Sequence, residues 1–237
     1  MPDYENGTAA EAVEGAPAER INEAVCVDVA RVYDSCADRA CLADLPVMFT
    51  EEEQALIDAA TSVRCRGCEV IDVYSEIEKV PFNSGYYSVD NTFFFRVTLD
   101  TFTTPSAAPQ TVYGLCTSAK KNILYGSEGS VKVFSSEYAG GPDEQLPAVS
   151  TTPRAKIQVA TPICLEARMI APGGSATAPE IPAAIPEAVK RAFRGELRAA
   201  ETGVAVRVTL GLFTIVQLER DVQLLIPAYR FCVPTKE

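Results

Sequence analysis

The sequence predicts a mostly β protein, an antiparallel β-sandwich-like domain with one or two short helices. Three observations lead to this fold class. Apolar and polar side chains alternate with a period of two along several segments, which lets a strand bury one face. Turns that contain Gly, Asn or Pro separate these segments. The alternation leaves the second face polar, which is typical of antiparallel sheets and not of parallel sheets that are covered on both faces.

The first third of the chain predicts a tail, a strand, a loop and a helix. Residues 1–22 are rich in Ala, Glu, Gly and Pro, and we expect a disordered acidic tail because little apolar surface is available to offset the entropy of ordering. A short strand follows over 25–32, and a polar loop with two cysteines over 33–41. Thr50 precedes three glutamates, and this capping-box pattern predicts a helix over 51–61.

The remainder predicts strands joined by turns, with one further helix. The cleanest alternation runs over 86–103, where Phe94 is the large apolar exception on the polar face. A helix is expected over 187–200, after a Pro-rich loop over 172–186, and a long loop lies at about 139–152. Together these elements predict a single β-rich domain over 23–237. Its other strands are expected at 71–78, 110–118, 130–136, 155–170, 203–213 and 214–226.

Composition and charge exclude several classes of function. The 237 residues include no histidine, so the sequence excludes Ser-His-Asp and Cys-His nucleophiles and histidine-ligated metals, and we expect no enzyme and no cofactor. The formal net charge of −11 repels a phosphate backbone, so we expect no nucleic-acid partner. No apolar run approaches the roughly 18 to 20 residues that span a bilayer, so we expect no membrane partner.

Eight cysteines are the most distinctive feature of the chain, and each is a candidate for a disulfide or a cross-link. Oxidised structural cysteines are typical of extracellular proteins. The N-terminus nevertheless has neither the basic segment nor the apolar segment of a signal peptide. We therefore expect either reduced thiols in the cytoplasm or an oxidising location that is reached without a signal peptide. The candidates are Cys26, Cys36, Cys41, Cys65, Cys68, Cys116, Cys164 and Cys232.

The Cys65-Arg-Gly-Cys68 motif has the spacing of a redox dithiol. A redox centre needs its thiolate at a helix N-terminus, whereas this motif lies where a helix ends and a strand begins, so we do not expect one. In an extended strand the two Cα atoms lie about 10 Å apart. That distance is beyond the reach of a disulfide, so each cysteine is expected on an opposite sheet face with a partner elsewhere. Cys164 falls on the polar register of its strand and is expected to be exposed.

An alternative hypothesis assigns four of the cysteines to zinc. Cys36 with Cys41, and Cys65 with Cys68, make two short-range pairs of thiolates. Structural zinc accepts an all-cysteine ligand set and needs no histidine. This alternative predicts a cytoplasmic zinc- or ligand-binding module. The acidic run Glu51–Glu53 is explained more simply by the first turn of a helix than by a cation.

Three stretches of the chain together resemble the cysteine-rich spore-surface proteins of clostridia, the group that includes the self-assembling exosporium lattice protein. The resemblance covers about 24–237. The stretches are AVCVDVARVYDSCADRACLADL from Ala24, VPFNSGYYSVDNTFFFRV from Val80, and LIPAYRFCVP from Leu225.

The resemblance implies a structural, non-enzymatic protein that assembles with itself into a homo-oligomer or lattice. Other spore-surface proteins would be further partners, and the cysteines would cross-link an extracellular layer. Cys26, Cys36, Cys41 and Cys232 lie within the similar stretches, and the other four cysteines do not. Spore outer layers are built inside the mother cell and are exposed when it lyses, so a location at the spore surface would need no signal peptide.

Overall fold

The computed structural model describes residues 23–104, 106, 108–129, 132–133, 149–150, 152–171, 185–198 and 203–228. Over these residues the protein is mostly strand, with antiparallel sheets and two short helices, so the predicted fold class is confirmed. The tail predicted over 1–22 lies outside the described residues. The loops predicted at 139–152 and 172–186 also lie outside them, except for a few residues at their ends.

Nine strands and two helices follow one another along the described chain. The helices are α1 (Glu51–Asp58) and α2 (Glu187–Lys190). The strands are β1 (Glu23–Pro46), β2 (Ser62–Lys79), β3 (Tyr86–Phe102), β4 (Gln110–Tyr125), β5 (Lys132–Val133), β6 (Val149–Ser150), β7 (Arg154–Val159), β8 (Ile163–Ile170) and β9 (Ala205–Ala228).

The chain divides into two compact units. The larger unit comprises Arg31–Arg220, and the smaller comprises Met1–Ala30 with Asp221–Glu237. The described part of the smaller unit is the start of β1 and the end of β9, where Val29 and Leu225 are exposed. The single domain expected over 23–237 stays a prediction.

Two large sheets build the sandwich of the larger unit, and β5 and β6 pair as a separate two-stranded sheet. Sheet A has the order β1-β9-β7, with β8 also paired to β9, and sheet B has the order β2-β3-β4. β7 pairs with residues 214–219 of β9 and β8 pairs with residues 205–211, so the strand predicted over 155–170 is interrupted. Pro162 lies in the interruption, where its missing N–H disturbs no ladder. The two strands predicted over 203–213 and 214–226 are instead one continuous β9.

The main core lies between the sheets and is centred on β3. Alternate β3 side chains, among them Phe93, Phe95 and Leu99, are at most 1% exposed and pack in one cluster with Val208 and Leu210 of β9. Burial of each such side chain contributes about 1.5 to 3 kcal/mol. The period-two pattern over 86–103 therefore identified the strand that carries the core.

A second cluster explains the position of Phe94. This side chain is on the outer face of sheet B, yet it is only 1% exposed because Val189 and Phe193 of the α2 segment pack against it. α2 itself spans four residues, so the helix predicted over 187–200 is wrong over 191–198. Gly195 adopts a φ of 144°, which a helix does not contain, and Arg198 bridges to Phe49 in an extended conformation.

The segment 33–41 is strand, so the polar loop predicted there is wrong. Side-chain bonds from this part of β1 to β4 account for its polarity. Asp34 accepts a hydrogen bond from the backbone N–H of Tyr125 at 2.9 Å, and Asp38 forms an ion pair with Lys120. The polar side chains of 33–41 are therefore part of strand β1, and they form bonds to β4 at a corner where sheet A approaches sheet B.

Helix α1 begins as the sequence predicts. The Thr50 hydroxyl accepts a hydrogen bond from the backbone N–H of Glu53 at 3.4 Å, and the first turn is acidic. Such a cap contributes about 1 kcal/mol. The helix ends at Asp58, about one turn earlier than expected.

Gly114 of β4 provides a test of this packing. An added Cβ would lie 2.7 Å from the Phe49 ring and closer still to Val47, whereas the same atom at Gly67 of β2 would meet nothing within 4 Å. We expect Gly114→Ala to lower the free energy of unfolding by about 1 to 3 kcal/mol, because the core side chains must move. Gly67→Ala is the matched control, and urea unfolding is the measurement. Equal effects of the two substitutions would contradict the proposed packing of Gly114.

Candidate functional site: the cysteine framework

A disulfide joins Cys65 of β2 to Cys164 of β8. The two Cα atoms lie 6.4 Å apart, and 99 residues separate the cysteines in sequence. The Cα separation lies within the usual range for disulfides, about 4.4 to 6.8 Å. Because β2 belongs to sheet B and β8 to sheet A, this bond fastens one corner of the sandwich covalently.

A β-bulge in β2 decides which way its cysteines point. Cys65 pairs with Leu99 and Cys68 with Val97, but the register shifts between Cys65 and Gly67, so that one extra residue is inserted. Both cysteines therefore face the main core, and the prediction that they lie on opposite faces is wrong. The glycine within the strand was the available signal, since a glycine there often marks a bulge.

A second bulge in β8 has the same consequence for Cys164. The register shifts between Cys164 and Glu166, which leaves Leu165 59% exposed and turns Cys164 toward the main core. Cys164 is half-buried, so the prediction of an exposed side chain on the polar register is wrong. The two bulges together bring Cys65 and Cys164 within bonding distance, which regular strands would not do.

Cys68 and Cys116 are free thiols in the main core. Burial, assisted by the negative charge of Glu69, raises the pKa of Cys68 to about 12. Burial also raises the pKa of Cys116 well above its usual value. Because the thiolate is the nucleophile in disulfide exchange, burial and a raised pKa make these two thiols poor nucleophiles at neutral pH.

The remaining described cysteines all lie on β1. Cys26 and Cys41 are exposed free thiols, and Cys36 is half-buried, where its sulfur accepts a weak hydrogen bond from the Asn122 side chain at 3.9 Å. β1 stands at the end of the strand order in sheet A. Cys26 belongs to the smaller unit and Cys41 to the larger. Both thiols are accessible to an oxidant or to a thiol of another molecule.

The four cysteines of the zinc hypothesis are not brought together. Cys65 is bonded to Cys164, Cys68 lies in the core, and Cys36 and Cys41 are on β1. Within the described part of the chain, no group of three or more Cys, Asp or Glu side chains has the arrangement of a metal site. Cys232, the last cross-link candidate, lies outside the described residues.

Removal of the disulfide tests its contribution to the fold. We expect the double substitution Cys65→Ala with Cys164→Ala to lower the free energy of unfolding by about 2 to 5 kcal/mol, because the bond closes a long loop in the unfolded chain. The control is Cys26→Ala with Cys41→Ala, whose exposed side chains should change stability by less than about 0.5 kcal/mol. Urea unfolding of both variants without reductant makes the comparison. A disulfide variant as stable as the control would show that the bond does not support the fold.

Thiol alkylation tests the division between buried and exposed cysteines. We expect iodoacetamide to modify Cys26 and Cys41 in the native protein at pH 8 and to leave Cys68 and Cys116 unmodified. With a pKa of about 12, roughly one Cys68 side chain in ten thousand is a thiolate at that pH. Peptide mass spectrometry reads each site, and the unfolded protein, in which all five free described thiols should react, is the control. Rapid native modification of Cys68 would contradict the burial.

Comparison with known proteins finds no match: no family model, no curated protein and no solved structure is similar to this chain. Among the described helices, none combines the length and the apolar character that a membrane span requires. The observations that bear on function are therefore the fold, the cysteine framework and the surfaces of the sandwich.

Proposed function

We propose that this protein is a structural, self-assembling subunit of a spore-surface or related extracellular layer, in which disulfides join identical subunits. The observation that carries the proposal is the division of the described cysteines by environment. One pair is bonded within the subunit, two thiols are buried in the core, and the accessible thiols of Cys26 and Cys41 lie on β1.

The chemistry of the cross-link follows from the exposure of these thiols. A low-molecular-weight disulfide such as oxidised glutathione supplies the oxidising equivalents. The thiolate of Cys41 in one copy attacks it, forms a mixed disulfide and releases one glutathione thiolate. A thiolate of Cys41 or Cys26 in a second copy then attacks the protein sulfur of the mixed disulfide and releases the second glutathione. Two protein thiols are oxidised and one glutathione disulfide is reduced.

The location at a spore surface is supported by the internal disulfide and by the three stretches that resemble clostridial spore-surface proteins. A structural disulfide favours an oxidising environment. The proposed role is non-enzymatic, and the partner is another copy of the chain or another protein of the same layer. In this scheme the Cys65–Cys164 disulfide stabilises each subunit, and the exposed cysteines of β1 connect it to its neighbours.

Non-reducing electrophoresis with electron microscopy tests this function. We expect the protein oxidised with glutathione disulfide to form ordered assemblies that resist boiling in detergent and return to 25.5 kDa with reductant. Cys41→Ser combined with Cys26→Ser should remove most of the resistant oligomers, while Cys68→Ala, the matched core control, should retain them. Cys232→Ser, tested separately, measures the contribution of the C-terminal stretch.

A strictly monomeric protein by light scattering, after oxidation and over a range of salt concentration and pH, would overturn the proposal. Stoichiometric zinc in that monomer, found by metal analysis, would favour the zinc- or ligand-binding module instead.

A further inference from the structure

The outward face of sheet A in the larger unit is basic, although the whole chain carries a net charge of −11. Register places four basic side chains on this face, and the contact with the outward-facing Phe213 ring places Arg39 there as the fifth. The same face carries the acidic side chains of Glu166 and Glu219, with Asp44 near the end of β1. Lys156 pairs with Glu219 at 3.6 Å and Arg168 pairs with Asp44 at 2.6 Å. The five basic and three acidic side chains named here therefore sum to an excess of two positive charges. The basic residues are Arg39, Arg154, Lys156, Arg168 and Arg207.

The outward face of sheet B is acidic over the half that the α2 segment leaves uncovered. That half extends from Asp72, opposite Phe94, to the turn between β2 and β3. Its single described basic side chain, Lys121, forms an ion pair with Asp90 at 3.0 Å. The excess is therefore three negative charges over the described residues. The acidic residues are Asp72, Glu76, Glu78 and Asp90.

Both faces expose large apolar side chains within these charges. On sheet A, Ile163 is 67% exposed, and Phe213 lies beneath the guanidinium of Arg39 with 5.8 Å from the Arg39 Cζ atom to the ring centroid. On sheet B, Tyr74 is 55% exposed and Ile123 is 59% exposed. Aromatic side chains and arginine, which Phe213 and Arg39 combine on sheet A, are enriched in protein interfaces.

We propose that the basic face of sheet A binds the acidic face of sheet B in a second copy of this chain. The inference rests on the proposed function, because it names the surfaces through which subunits assemble before any disulfide forms. The opposite sign of the two faces favours this occupant, since each copy carries both the basic and the acidic surface. The exposed apolar side chains of both faces add apolar area to this contact.

The two faces lie on opposite sides of the same sandwich, and this has a consequence for symmetry. A contact between different surfaces of identical subunits is heterologous, so a pair of copies keeps one unoccupied basic face at one end and one unoccupied acidic face at the other, and the assembly continues in rows. The net charge of the chain opposes association at long range. At about 0.15 M salt the Debye length is about 8 Å, so repulsion between whole subunits is screened while charges in contact still interact.

Charge reversal tests the pairing of the two faces. The basic-face variant is Arg39→Glu with Lys156→Glu, and the acidic-face variant is Glu76→Lys with Glu78→Lys. All proteins carry Cys26→Ser, Cys41→Ser and Cys232→Ser, so that only non-covalent assembly is measured, by sedimentation velocity and electron microscopy. The control, Lys190→Glu with Arg194→Glu, lies outside both faces and changes the net charge by the same amount and in the same direction as the basic-face variant. Circular dichroism and thermal unfolding confirm that each variant is folded.

We expect each face variant alone to need at least a tenfold higher protein concentration for half-assembly, and we expect the control to assemble like the parent. An equimolar mixture of the two face variants should assemble near the parent concentration. In the mixture, the sheet A face of one variant, now acidic, can bind the sheet B face of the other variant, now basic. If the parent assembles but face reversal has no effect, or the mixture does not recover, the pairing of faces is overturned while self-assembly stands. If the parent stays monomeric at every concentration, with and without the β1 and Cys232 cysteines, both proposals are overturned.

Discussion

The disulfide between Cys65 and Cys164 is the constraint on which the arrangement of the larger unit depends. It links sheet B to sheet A at one corner, whereas the opposite corner is held by the side-chain bonds of Asp34 and Asp38 to β4. The link at the first corner is therefore a covalent bond, and the links at the opposite corner are a hydrogen bond and an ion pair, which break and form reversibly. The core around β3 lies between these two fastenings, which limit how far the sheets can separate.

The same core sorts the cysteines by chemistry. A thiol that lies among Phe95, Val97 and Leu210 is desolvated, so its pKa rises and its thiolate population becomes negligible at neutral pH. Cys68 and Cys116 are therefore poor nucleophiles for exchange with the nearby disulfide. Cys41 lies on an end strand of sheet A, and its thiol is exposed. Cysteine thus forms a disulfide, packs in the core or remains an accessible thiol, according to its burial and to whether a second cysteine lies within bonding distance.

Basic and acidic side chains are segregated on the surface of the larger unit, which the net charge of the chain does not reveal. A chain at −11 is expected to repel copies of itself, yet strand register gathers basic side chains on the outside of sheet A and acidic ones on the exposed half of sheet B. Salt screens the repulsion between whole subunits more strongly than it screens the attraction between oppositely charged faces in contact, so the attraction acts at short range. This separation reconciles a strongly acidic composition with the self-assembly that we propose.

The sequence by itself determined the class of the fold, the strand at the centre of the core and the N-cap of α1. Those features depend on local alternation and on hydrogen bonds between neighbours in sequence, as in the segment 86–103 and at Thr50. Only the tertiary structure decided the strand character of 33–41, the burial of Phe94 and the partner of Cys65. Each of these depends on contacts between residues far apart in the chain, and the pairing of Cys65 with Cys164 depends in addition on two bulges. A bulge shifts side chains to the other face of a strand without changing the amino-acid pattern from which the face is predicted, so alternation placed Cys164 outside while the structure turns it toward the core.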